Sequence, residues 1–89
     1  VKTTLTFELI EAAGRSGVKP EEIKQYIISE WVNPNDPIGL KFDVEDIARI
    51  QLIWDLKEQL GVNDDAVPII LHLIDELNHL HLNFKKYII

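Results

Sequence analysis

Apolar residues recur three and four apart along most of this chain, a period that predicts helices rather than strands. The strongest such stretch is 42–61, FDVEDIARIQLIWDLKEQLG. Within it Ile47, Ile50 and Trp54 form one stripe, and Ile53, Leu56 and Leu60 form another. A helix that is apolar on two sides needs partners on two sides. Asp43 suits the N-cap, Asp46 lies three residues on as in a capping box, and Gly61 suits a left-handed helix end. We therefore expect a central helix over 43–60, with elements packed before and after it.

Before it, VKTTLT at 1–6 reads as a short strand or an extended lead-in. Thr6 is expected to cap a short helix whose inward residues are Phe7, Ile10 and Ala13, ending between Gly14 and Gly17. A second helix is expected to open at Pro20, a residue suited to the first helical position, with Glu21 and Glu22 favouring the positive end of its dipole. Its apolar face is Ile23, Tyr26 and Ile27, with Trp31 a turn beyond. Two short helices around a glycine-bearing turn predict a helix-turn-helix over 6–31. NPNDPIG at 33–39 breaks any helix, and the flanking Trp31-Val32 and Leu40-Lys41-Phe42 are long enough for minimal strands. A small β wing over 32–42 follows.

The last helix, 64–88, is expected to start at Asn63 or at one of the two aspartates after it, because Pro68 must stay near its first turn. Val67, Ile70, Ile74, Leu77, His81, Phe84 and Ile88 then fall on a 3-4 heptad seam, and Ile69, Leu73, Leu80 and Tyr87 lie away from it. Such a helix wants a second partner, most simply the same helix of another copy. Ile74, Leu77, His81, Phe84 and Ile88 are the candidate dimer contacts. The expected architecture is a single all-α domain over 1–89: a winged helix-turn-helix with a small β wing and a long C-terminal dimerisation helix.

Composition narrows the function. The 46% hydrophobic and 27% charged content is that of an ordinary folded domain. No cysteine occurs, so disulfides and thiolate metal sites are excluded, and no apolar run is long enough for a membrane span. A cytoplasmic location is the expectation. The formal net charge of −6 sets the chain against nucleic acid, which needs a basic face, and in favour of a basic protein partner. Solubility alone would also account for that charge. Phosphate loops, nucleophile motifs and His-Glu metal motifs are absent from the sequence, so neither an enzyme nor a cofactor is expected. His72, His79 and His81 do not converge with enough further ligands for zinc, and no metal is expected.

Gly17-Val18, Ile23-Lys24-Gln25-Tyr26 and Trp31-Val32-Asn33-Pro34 stand in an order that resembles the MerR-type winged-helix pattern. So do Gly39-Leu40-Lys41-Phe42 leading into Asp46-Ile47-Ala48-Arg49-Ile50, and then Leu60-Gly61. The likeness covers about Thr6 to Ile74. A narrower resemblance is to the chaperone-modulator (CbpM-like) branch. It is carried by Thr4-Leu5-Thr6-Phe7, by Gly17 to Glu22, and by Leu71, Leu73-Ile74-Asp75-Glu76-Leu77 and His79-Leu80. That resemblance implies a small cytoplasmic bacterial protein that binds the J-domain of a DnaJ-like co-chaperone (CbpA). It implies inhibition of that co-chaperone's stimulation of DnaK, without chemistry of its own. DNA-binding members carry arginines in the second helix and wing. Here Pro20 to Phe42 holds Lys24 and Lys41 against Glu21, Glu22, Glu30 and Asp36.

Glu21, Glu22 and Glu30 are accordingly the candidate patch for a basic J-domain helix, although the first two would also serve as ordinary helix-start residues. Tyr26 and Trp31 are candidate aromatic anchors, with core packing as the alternative that their spacing favours. Two rivals stand beside the chaperone reading: a dimeric MerR-type DNA-binding regulator, and a bare dimerisation domain of a longer protein.

Overall fold

The computed structural model of the chain describes residues 5–34, 36 and 38–88, with side chains as far as His81. Among these residues it is all-α: α1 (Leu9–Ser16), α2 (Pro20–Ile28), α3 (Val44–Trp54), continued by one π-helical turn (Asp55–Gln59), and α4 (Val67–Ile88). No helix is long and apolar enough to cross a membrane, among the described residues.

Helix α3 is central, as its two stripes require. Asp43 and Asp46 close a capping box: the Asp46 amide donates to Asp43 Oδ1 at 2.7 Å, and the Asp43 amide donates to Asp46 Oδ2 at 3.0 Å. Ile50 and Ile53 are fully buried and Leu56 nearly so. Ile50 and Ile53 share one core cluster with Ala12 and Val18 from around α1, Ile23 and Tyr26 from α2, and Val67 and Leu71 from α4. Leu60 departs from its expected stripe and is 72% exposed. The π turn is the reason: Leu60 donates to Asp55, five residues back, so each residue there turns less than in an α-helix and the face drifts off the core. Gly61 then takes φ +68°, as expected of a helix end.

Helix α1 starts later than Thr6. Its N-cap is Glu8, which makes no side-chain cap. Phe7 is instead held extended by a two-way bridge with Phe42, at 2.7 and 2.8 Å, and buries its ring from that position. This shifts the helix register. Ile10 points to solvent at 81% exposure, while Ala12 and Ser16 are buried and Leu9 and Ala13 pack against the core. Gly17, at φ +76°, ends the helix and its amide donates to Ala13. The expected lead-in strand falls largely on residues outside the described ones.

Helix α2 begins at Pro20 as expected. At its end Trp31 donates to the Tyr26 carbonyl and Glu30 to that of Ile27, the double closure of a Schellman motif. The left-handed position that glycine usually fills is occupied by Glu30, φ +64°. Beyond it the expected wing strands do not form among the described residues, which show only the isolated bridges Phe7–Phe42 and Asp36–Lys41. Phe42 pairs with Phe7, not with Trp31-Val32, whose side chains are buried in the core.

Asn63 receives the Ala66 amide on Oδ1 at 3.0 Å and turns the chain into α4, leaving Pro68 as its second residue, where a missing N–H costs little. The face that α4 turns to its own domain is Val67, Leu71 and Ile74. Leu71, 2% exposed, lies on neither expected stripe, while Ile70 of the seam is half-buried.

Candidate partner-binding surface

Tyr26 and Trp31 lie inside the core, 1% and 8% exposed, with ring centroids 5.9 Å apart. They make the hydrophobic contact that a Schellman closure brings together, and offer no surface to a partner. Lys57 spans both rings, its Nζ 5.8 Å from the Tyr26 centroid and 5.6 Å from that of Trp31, and pairs with Asp64 at 3.1 Å. Burial, and then the charges of Glu22, Glu58 and Asp64, push the Tyr26 hydroxyl from the ordinary 10.0 up to about 12.

The three glutamates do not form one patch. Glu21 and the half-buried Glu22 occupy the first turn of α2, and Glu30 follows its last residue, a helix length of roughly 13 Å away. Between them the outward face carries Lys24, Gln25 and the exposed Ile28. Ile28 at 72% and Ile38 at 96% exposure are apolar side chains that the sequence reading passed over. No period marks them: Ile28 falls beside the apolar face of Ile23, Tyr26 and Ile27, and Ile38 stands in the proline-bearing break.

Cations are largely committed inside the fold. Arg15 stacks over the Phe7 ring at 4.2 Å and pairs with Glu11; Lys41 pairs with Glu8 at 3.0 Å. Arg49 donates through Nε to the Trp31 carbonyl at 2.6 Å and through Nη1 to Asp75 at 3.1 Å, tying the end of α2, α3 and α4 together. With Lys57 held by Asp64, Lys19 and Lys24 are the uncommitted cations among the described side chains. No continuous basic strip runs along α2 and the following loop among them.

Helices α3 and α4 diverge to leave an open cleft of about 610 Å³, with Ala48, Leu52 and Ile74 on its walls and Glu45, Asp46 and His81 also lining it. The chain matches no protein-family model and no curated protein.

Of the expected dimer residues, Ile74 is half-buried in this cleft, His81 is exposed beside it, and Leu77 is 65% exposed. The side chains of Phe84 and Ile88 lie outside the described residues. Ile69, Leu73 and Leu80, which the sequence reading set apart from the seam, are exposed to the same degree as Leu77, at 63%, 61% and 64%. At 100° per residue these four share one face of α4, so the two expected stripes are a single broad one.

Proposed function

We propose that this chain acts by binding another protein and performs no chemistry. The partner is the J-domain of a DnaJ/CbpA-like co-chaperone, whose stimulation of DnaK it inhibits. The reading takes the fold as MerR-like winged helix-turn-helix, with α1 and α2 as the helix pair and 32–42 as the wing.

The observation that carries it is the charge on the side a winged helix would turn to DNA. The segment from α2 to Phe42 that would supply it holds Glu21, Glu22, Glu30 and Asp36 against Lys24, with the free Lys19 just before it and Lys41 held by Glu8. Phosphate binding needs several uncommitted cations on one face, and this segment carries more carboxylates than cations. A basic helix meets the opposite situation: Glu21 and Glu30 are exposed and solvated, and Ile28 adds an apolar contact beside them.

Titration against a purified J-domain and against duplex DNA tests this. Micromolar or tighter J-domain binding is expected, weakened about tenfold by Glu21→Lys with Glu22→Lys. DNA binding that falls steeply with salt, with no J-domain binding, would replace this reading by that of a MerR-type regulator.

A further inference from the structure

Tyr26 is 1% exposed, yet its hydroxyl has no hydrogen-bond partner among the described residues. No buried side-chain oxygen or nitrogen goes unbonded among them, so the phenol oxygen touches solvent at the tip of an otherwise closed ring. A tyrosine placed this deeply usually finds a partner for its hydroxyl. Carboxylates surround the tip instead. Glu22 lies one turn before Tyr26 on α2, on the side toward which a helical side chain leans. Glu58 stands on the π turn and Asp64 in the connection that follows it. After burial, the charges of these three are what raise the hydroxyl's pKa, so all of them act on this oxygen.

One cation is already present. Lys57 holds Asp64 at 3.1 Å and lies over the Tyr26 and Trp31 rings. Glu22 and Glu58 enter no ion pair or side-chain hydrogen bond among the described residues. Three carboxylates against one ammonium therefore leave negative charge in excess around a hydroxyl with nothing to bond. The carboxylates are too spread for a metal: no group of acidic or histidine side chains among the described residues is placed to hold one. An extended, planar cation fits them better than a point charge does.

We infer that Glu22 and Glu58, with the Tyr26 hydroxyl between them, receive an arginine side chain from a basic helix of a partner protein. A guanidinium carries five N–H donors in one plane, enough to serve two carboxylates and a phenol oxygen together, whereas an ammonium has three about a point. All three oxygens accept, and Lys57 stays with Asp64 and keeps the rings covered. The inference rests on the J-domain reading and adds the place of contact. That place is the first turn of α2 together with the π turn, rather than the length of α2 out to Glu30.

The test is calorimetric titration of the full chain with a purified J-domain. Glu58→Gln is expected to weaken binding about tenfold and Tyr26→Phe about threefold, both with an unchanged far-UV spectrum. Glu76→Gln removes the same charge from an exposed position on α4 and is expected to change affinity less than about twofold. Equal losses in Glu58→Gln and Glu76→Gln would reduce the effect to net charge and overturn the site. Full affinity in both Glu58→Gln and Tyr26→Phe would overturn it too, while leaving the J-domain reading in place.

A second probe separates the two ideas. An arginine-bearing helical peptide, and the same peptide with lysine at each arginine, are titrated while backbone amide shifts are followed. Shifts confined to the surroundings of Glu22, Tyr26 and Glu58, with the arginine form bound several-fold tighter, are expected. That result without J-domain binding would keep the site and discard the J-domain as its partner. Scattered shifts, or equal binding of the two peptides, would overturn the site whatever the J-domain does.

Discussion

The two long helices are apolar to similar degrees yet end in opposite states. Helix α3 has its inward stripe covered: Ile50 and Ile53 are fully buried, the flanking Arg49 is tied to Trp31 and Asp75, and only Val44 in the first turn is largely exposed. Helix α4 is covered only where Val67, Leu71 and Ile74 meet the body, and beyond that it exposes leucine after leucine. Apolar content alone therefore does not say where a helix sits. The difference lies in whether the chain supplies neighbours within reach, and among the described residues Ile69, Leu73, Leu77 and Leu80 are left without such cover.

Substitutions can break this contrast. The largest effect is expected in α3: Ile50→Ala should cost about 3 kcal/mol of stability, through lost burial and a cavity. Leu77→Ala should cost less than ~0.5 kcal/mol in the dilute monomer. Urea unfolding below micromolar concentration checks both, and equal losses would mean that α4 is packed in the single copy.

The Tyr26 hydroxyl comes next. Its folded value of about 12 exceeds the ordinary 10.0, so the unfolded chain releases its proton first and the folded state retains it. The stabilisation is whole below pH 10 and drains away between 10 and 12, by about 2 kcal/mol, with a Tyr26→Phe variant showing a shallower fall over the same range.

A smaller effect is expected at the α3 cap. Asp43→Ala should cost about 1 kcal/mol through loss of the bond to the Asp46 amide. Asp46→Asn should cost much less, because burial and the neighbouring Asp43 charge already hold the Asp46 carboxyl above its usual range. By linkage, ionisation of Asp46 disfavours the folded state, so its penalty is absent below the usual carboxylate value of 3.8 and grows as pH rises through its raised one. Thermal melts at pH 3.5 and pH 7 separate the two variants. Glu30→Gly is expected to have the opposite sign: it relieves a left-handed glutamate and should stabilise the fold by roughly 0.5–1 kcal/mol.

What could be read from the sequence followed from how local its causes are. The α3 cap, the end at Gly61 and the opening of α2 at Pro20 depend on side chains within a turn of the backbone they serve, and they were legible. The start of α1 was not, because Phe7 is claimed by Phe42, a residue across the fold. For the same reason from the other side, Phe42 bridges to Phe7 and no wing strand forms among the described residues. Leu60 was lost to a π turn that no spacing announces, and Leu71 was missed because it lies on neither of the two stripes read along α4. For the candidate surface, the sign of the charge was legible in the composition. Its layout was not: Glu21 and Glu30 are neighbours in character but sit at opposite ends of α2, and Ile28 and Ile38 carry no sequence signal at all.

The expectation that the exposed face of α4 is covered by a second copy is tested most directly by sedimentation equilibrium of the full chain from 1 to 100 μM. The expected result is a mass that rises reversibly from one copy to two across that range. A single copy at 100 μM, with α4 still helical, would contradict the account.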